Sequence, residues 1–560
     1  MSAGAAADLV ASAEEALASG DYAGALAVAT AAVSADPGDG AAHALLGELH
    51  YLDDRFPETV AEWQAAFPLL RDAGALRPAA QIAIELARLH GADLGHPAAA
   101  RGWVERARRL LDRVGPCPEQ GHLELAIMAC DRADVDDLLA SAERALSVAL
   151  EHGDSGLEAL ALADSGLALV SQGRCAEGFA RLDAALAAIS AGEVPMPAAG
   201  ICFCSMLTAC DRAGDVRRAE EWTGLLTDLL TMAGGRPRVL GVHCRLAYGS
   251  VLCASGRWPE AEALLVEALG PAQAPTVAHR ALTVAHLADL RLDQGRVEEA
   301  ADLLAPFEDW VTTCGPLARV HLRRGDLDLA AAVLRRGLGE LVGDALRAGP
   351  LLSTLVEVEL ARGDVAAARA AAAELDTLAA AVELVALRAE AALASGRVLA
   401  AEGDAGGALA AFGRAKAALA GDERPLALGL VRLDLARTLE AGGDRAGAVA
   451  EARAALAAFD RLGATTARDR VSALLRGWGD TGRPRPADAA ALAATLTRRE
   501  QEVLDLVAEG LTNAQIARRL YISPKTAEHH VGRVLAKMGV RTRAEAAALA
   551  VRLAAVPGGK

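Results

Sequence analysis

Between Lys525 and Lys537 the chain sets Lys525, Glu528, His529, Gly532, Arg533 and Ala536 at three-to-four spacing, the repeat that places residues on one face of a helix. Their chemistry is that of a surface for a polyanion with readable edges. Lys and Arg neutralise phosphates and release counterions, His donates to or accepts from a base edge, and Glu accepts from a cytosine amino group. The Gly and the Ala leave room for bases or phosphates to approach. The opposite face, Ala527, Val531, Val534, Leu535 and Met538, is apolar and fit to be buried.

Positioning such a face takes a small helical framework, and the flanking sequence spells one out. Thr497 with Glu500 forms a capping box that opens a first helix, and Gly510 stops it. Thr512 with Gln515 repeats the box for a second helix that ends near Leu520. Tyr521, Ile522 and Ser523 make a tight turn, with Ser523 as N-cap and Pro524 at the first helical position. The third helix runs to about Met538; Gly539 ends it, and Thr542 with Glu545 caps a fourth. A short helix, a three-residue turn and a longer helix is the spacing of a helix-turn-helix unit, in which the apolar face of the third helix packs on Ile516, Ala517 and Leu520. Residues 491–560 hold 11 Lys and Arg against 6 Asp and Glu, whereas the whole chain is −17. The positive charge is concentrated here.

The segment closely resembles the DNA-binding domain of LuxR-type (GerE/NarL-like) bacterial transcription regulators. Their motifs stand here as Leu496 to Glu500, Glu502 to Leu504, Gly510 to Ala517, Ser523 to Thr526 and Lys537 to Val540. The resemblance covers about the last eighth of the chain. It implies that the third helix reads the major groove, with Glu528, His529 and Gly532 facing bases and Lys525, Thr526, Arg533 and Lys537 nearer the backbone. Thr512 and Asn513, in the G-x-[TS]-N motif, join the DNA-binding set. The resemblance also implies a homodimer on double-stranded DNA through the fourth helix, with Ala546, Leu549, Ala550 and Leu553 as contacts. Two positions depart from the family: Ala527, where Val is usual, and Glu528, where Lys is frequent. The second bears on the preferred base sequence.

Over its 560 residues the chain is 53% hydrophobic with only 3% aromatics, which suits closely packed Ala- and Leu-rich helices. From about residue 8 to 470 a small motif recurs: Gly with an Ala five residues later, at Gly20, Gly214, Gly256, Gly295, Gly325, Gly363, Gly403 and Gly443. Gly173 starts a weaker copy, and Asp54 with Arg55 and Phe56 another. The better copies lie about 40 residues apart, the range of helical repeats, each Gly ending one helix of an antiparallel hairpin. This looks like a tetratricopeptide-repeat array, which implies a stacked superhelix with a concave groove for a protein or small-molecule effector. The array is acidic, which favours a basic or neutral partner. Residues 476–490 carry three Gly and two Pro and read as a linker.

Other chemistry is missing from the sequence. No G-x-x-x-x-G-K-[ST], G-x-S-x-G or H-E-x-x-H occurs. Cys202, Cys204 and Cys210, with His243 and Cys244 further on, lack a Cys-x-x-Cys step, and residues two apart on a helix point different ways. No enzyme activity, metal or cofactor is expected. Without a leader-like start or a membrane-length apolar run, the expected location is the cytoplasm. The sequence therefore predicts an all-α chain: a tetratricopeptide-like α-solenoid over 1–475, a linker over 476–490, and a small four-helix helix-turn-helix domain over 491–557. The expected function is a sequence-specific DNA-binding regulator controlled through the array. A repeat-based scaffold with a protein-binding terminal module is the competing reading, and it gives Lys525, Thr526, Arg533 and Lys537 no reason to be exposed.

Overall fold

The computed structural model describes residues 3–53, 55–130, 134–232, 239–270, 277–382, 384–421, 424–480, 496–538, 540, 542–543, 546–547 and 550. Among them there is no strand, and the chain divides into two compact units, 1–471 and 472–560.

The first unit is a run of helical hairpins. Its opening pair is Ala3–Ala18 with Tyr22–Ala35, its later pairs include Val385–Ala401 with Ala405–Ala418 and Pro425–Ala441 with Arg445–Leu462, and Thr465–Gly477 follows them. All eight motif glycines sit in the left-handed region, with φ from 68° to 88°. The reversal between helices demands it, and only Gly adopts that conformation without strain. The Ala five residues on is fully buried in every copy: Ala25, Ala219, Ala261, Ala300, Ala330, Ala368, Ala408 and Ala448. A larger side chain there would hold the paired helices apart. The residue after the Gly has a role of its own. Asp21, Asp364, Asp404 and Asp444 each accept a backbone N–H three residues on, capping the second helix. Where Arg stands instead, Arg257 and Arg296 pair with Glu260 and Glu299. Asp54 lies outside the described residues; the helix it was expected to precede starts at Phe56 behind Arg55.

Large side chains of second helices fill notches in first helices. Gly47 lies so close to Trp63 that a Cβ there would stand 2.3 Å from the ring, and Gly396 meets Phe412 the same way at 2.5 Å. The array also coils on itself. Arg424 donates to the Ala213 carbonyl at 3.4 Å, and Thr465 donates to the Gln294 carbonyl. Later hairpins therefore rest on earlier ones about two hundred residues back, closing the superhelix into stacked turns.

Helix extends to Gly477, two residues into the expected linker, and 481–490 lies outside the described residues. Cys202 and Cys210 are buried in the array core, and burial pushes both thiols up. The side chains of His243 and Cys244 lie outside the described residues.

Candidate nucleic-acid interface

The module opens with three short helices, Arg498–Ala508, Asn513–Leu520 and Pro524–Lys537. Both capping boxes are made. Thr497 caps Glu500 and Thr512 caps Gln515, and in each the acidic or amide side chain returns to the cap N–H, at 2.8 and 2.7 Å. Ser523 Oγ accepts from the Thr526 N–H at 3.0 Å, fixing the start of the third helix. The turn before it rests on Tyr521, which has φ 53° and is 96% exposed. It is the one non-glycine residue in the left-handed region among those described, and its conformation lets the Ile522 N–H reach back to the Ala517 carbonyl at 3.0 Å.

Inside, Val503, Leu504, Val507, Ile516, Ala517, Ala527, Val531, Val534 and Met538 are buried together. Leu520 and Leu535 are half-buried against them. The third helix thus turns its apolar stripe inward, as its periodicity predicts, and its other face outward. Lys525, Thr526, Glu528, His529, Gly532 and Arg533 are all exposed, and nothing lies within 4 Å of a Cβ built on Gly532. Arg518 and Arg519, at the end of the second helix, are exposed as well and have no ion-pair partner among the described residues. They stand on the second helix, outside the third-helix face that periodicity marks in the sequence.

Other expected site residues are placed differently. Lys537 is half-buried, and its ammonium donates to Glu500 at 2.6 Å, tying the end of the third helix to the start of the first. That carboxylate also accepts the Thr497 N–H, and together, with Lys537 the larger influence, they hold Glu500 down to about 2. Lys537, expected at the DNA backbone, is therefore an internal tie of the module. Thr512 is exposed, but its hydroxyl serves the capping box. Asn513 accepts from Arg543 at 2.9 Å, so its carbonyl oxygen is already engaged. Arg499 spans Glu502 and the Leu520 carbonyl, each at 2.7 Å, closing the end of the second helix.

In the expected fourth helix the Ala546 N–H bonds to the Thr542 carbonyl at 3.1 Å. Ala546 itself is fully buried in the module's own core and Ala550 packs partly against that core. Ala546, expected as a contact to a second copy, is thus not available for one, because its methyl group is already covered. Leu549 and Leu553 lie outside the described residues, as do Gly539 and Glu545.

Comparison with known proteins adds to this geometry. Residues 494–550 match the family described as bacterial regulatory proteins, luxR family. Over 58 residues the chain is 47% identical to the DNA-binding transcriptional activator DevR/DosR of Mycobacterium tuberculosis, covering 10% of this chain and 27% of that one. Over 51 residues it is 51% identical to the transcriptional regulatory protein DegU of Brevibacillus brevis, 9% of this chain and 22% of the other. The chain thus spans about a quarter of the length of these relatives. For the whole chain, the crystal structure of the APC/C hetero-tetramer Cut9-Hcn1 aligns over 82% of this chain and 95% of that one, at 14% identity and a TM-score of 0.45. The repeat assignment rests on the hairpins themselves.

Proposed function

We propose that this chain, whose residues 494–550 form a luxR-family helix-turn-helix domain, is a sequence-specific DNA-binding regulator of transcription. One observation carries the reading: the outward face from Lys525 to Arg533 is exposed along its whole length, while the apolar face of the same helix is sealed. That supports entry into a major groove, where an exposed polar helix face can meet base edges. Lys525 and Arg533, joined by Arg518 and Arg519, supply phosphate contacts. Glu528 and His529 read bases beside the gap at Gly532. Two copies bind as a dimer through the last helix, using the side of it that the module's core leaves uncovered.

The acidic helical array is the part that takes the signal. A ligand or protein in its groove shifts the population of the binding-competent form. The reaction is an equilibrium of binding and needs no catalytic group. A gel-shift series on the full chain with random and selected duplexes tests the reading. Salt-sensitive retention of duplex supports it, and retention of neither pool at low salt overturns it. The scaffold alternative is favoured only by that second outcome.

A further inference from the structure

The concave side of the first repeats encloses a hollow of about 1190 Å³. Its walls come from helices far apart in sequence, from Ala3–Ala18 through to Val277–Asp293, with Phe56, Trp63, Ile82, Ile201 and Leu282 among the apolar ones. The size is that of a small-molecule site, at or slightly above the range of about 300–1,000 Å³. The charged lining is mostly acidic, with His122 and His279 beside the acids. Glu14, Glu48, Glu85, Asp93, Asp154 and Asp164 all reach the wall, and Arg88 is the one Arg or Lys among them. Arg88 is already taken: it donates to Glu85 at 2.7 Å and to the Tyr51 hydroxyl at 3.0 Å.

Asp93 is the telling member. It ends a single π-helical turn, Leu89–Asp93, and is only 9% exposed, yet its Oδ2 has no hydrogen-bond partner among the described residues. A buried carboxylate oxygen without a donor is costly to fold, and π-turns inside helices recur at functional sites. Glu48, on Gly40–Leu52, lines the same hollow, and the charged groups that act on it are Glu85 and Glu14, both of its own sign. The Asp164 carboxylate has Ser205 Oγ at 3.3 Å. We propose that this hollow binds a small organic cation, a protonated amine on an apolar body, whose N–H groups satisfy Asp93 and whose charge Glu48 and Asp164 offset. The apolar wall takes the body of the ligand, and the carboxylates select for the charge. Burial pushes the carboxyls up, Glu48 to about 7 and Asp93 and Asp164 to about 6. A cation in the hollow would draw them back down.

The assignment deepens the reading of the array as the signal-taking part and rests on it for its consequence, but its test does not need DNA. Isothermal titration of the full chain with 4-phenylbutylamine is set beside 4-phenylbutanol and 4-phenylbutyrate, which share its carbon skeleton. The amine binds, the alcohol is weaker by about tenfold or more, and the carboxylate does not bind. Asp93→Asn lowers amine affinity by about tenfold while leaving the melting temperature unchanged or raised, because it removes an unpaired buried charge. If Asp93→Asn lowers the melting temperature instead, Glu48→Gln decides: it weakens the amine alone. Equal binding of all three compounds, no binding of any, or full amine affinity in Glu48→Gln overturns the assignment. Amine binding without any change in duplex affinity keeps the site and removes the control of DNA binding.

Discussion

Lys537 closes the helix-turn-helix module by donating to Glu500 across 2.6 Å, from the last turn of the third helix to the first turn of the first. A cation that sequence alone assigns to DNA backbone is held inside the domain by an acid that sequence alone assigns to a helix cap. Lys537→Ala should therefore act on folding. Its removal strips Glu500, which is nearly buried, of its charge partner, and the module should unfold at lower urea. Loss of DNA affinity should follow unfolding, equally for specific and random duplexes. Lys525→Ala, on the exposed face, should leave the urea midpoint unchanged.

Phosphate and base contacts are separable by salt. Lys525→Ala and Arg533→Ala should each weaken binding to every duplex and flatten the dependence of log K on log salt by about 0.9 per lost phosphate contact. His529→Ala should keep the slope and cost about 1–3 kcal/mol on the preferred sequence alone. Fluorescence anisotropy across a salt series reads both.

Tyr521 holds a left-handed conformation with its side chain 96% exposed, so the ring contributes little packing there while the backbone is strained. Tyr521→Gly should stabilise the module by up to about 1 kcal/mol, seen as a higher urea midpoint. A loss of stability would show that the ring has packing worth more than the strain.

In the array, Gly396→Ala puts a methyl group 2.5 Å from the Phe412 ring, which is itself buried. The expected cost is about 1–3 kcal/mol from overpacking. Phe412→Leu in the same chain should recover part of it, and additive losses would mean that the two residues do not meet.

The two units should respond to acid with opposite signs. Glu48 and Asp93 are raised in the folded array, to about 7 and about 6, by burial and, for Glu48, by Glu85 and Glu14. For Asp93 the Arg88 charge works against the rise. Through these carboxyls the folded array takes up protons that the unfolded chain does not, against the smaller opposite effect of His50 and His90, which burial lowers, so its stability should rise as pH falls from 8 to about 5. Glu500 is lowered to about 2 from 4.5. Its contribution is full above the ordinary carboxylate range and is lost as pH falls from there toward 2. Calorimetry of the full chain at a series of pH values should show the array transition moving up before the module transition moves down.

The hairpins were legible because their signals are local. A Gly needing positive φ and an Ala at a helix crossing leave the same imprint in every repeat, as Gly403 with Ala408 and Gly443 with Ala448 do. The coiling of the array was not legible. Arg424 meeting the Ala213 carbonyl is a contact between repeats whose own patterns are complete without it. In the module the buried stripe and the caps could be read from periodicity. The engagement of Lys537, Asn513 and Ala546 could not, because each is decided by a neighbour brought near only by folding. Asp93 was missed for a related reason: nothing in its sequence neighbourhood marks it as buried without a donor.

The central claim is that the face from Lys525 to Arg533 enters a DNA groove. Selection of bound sequences from a random duplex pool, run in parallel on the wild-type chain and on His529→Ala, tests it most directly. A defined motif is expected for the wild type and a motif altered at one or two adjacent base pairs for the variant. The same motif from both proteins, or no enrichment from either, would contradict it.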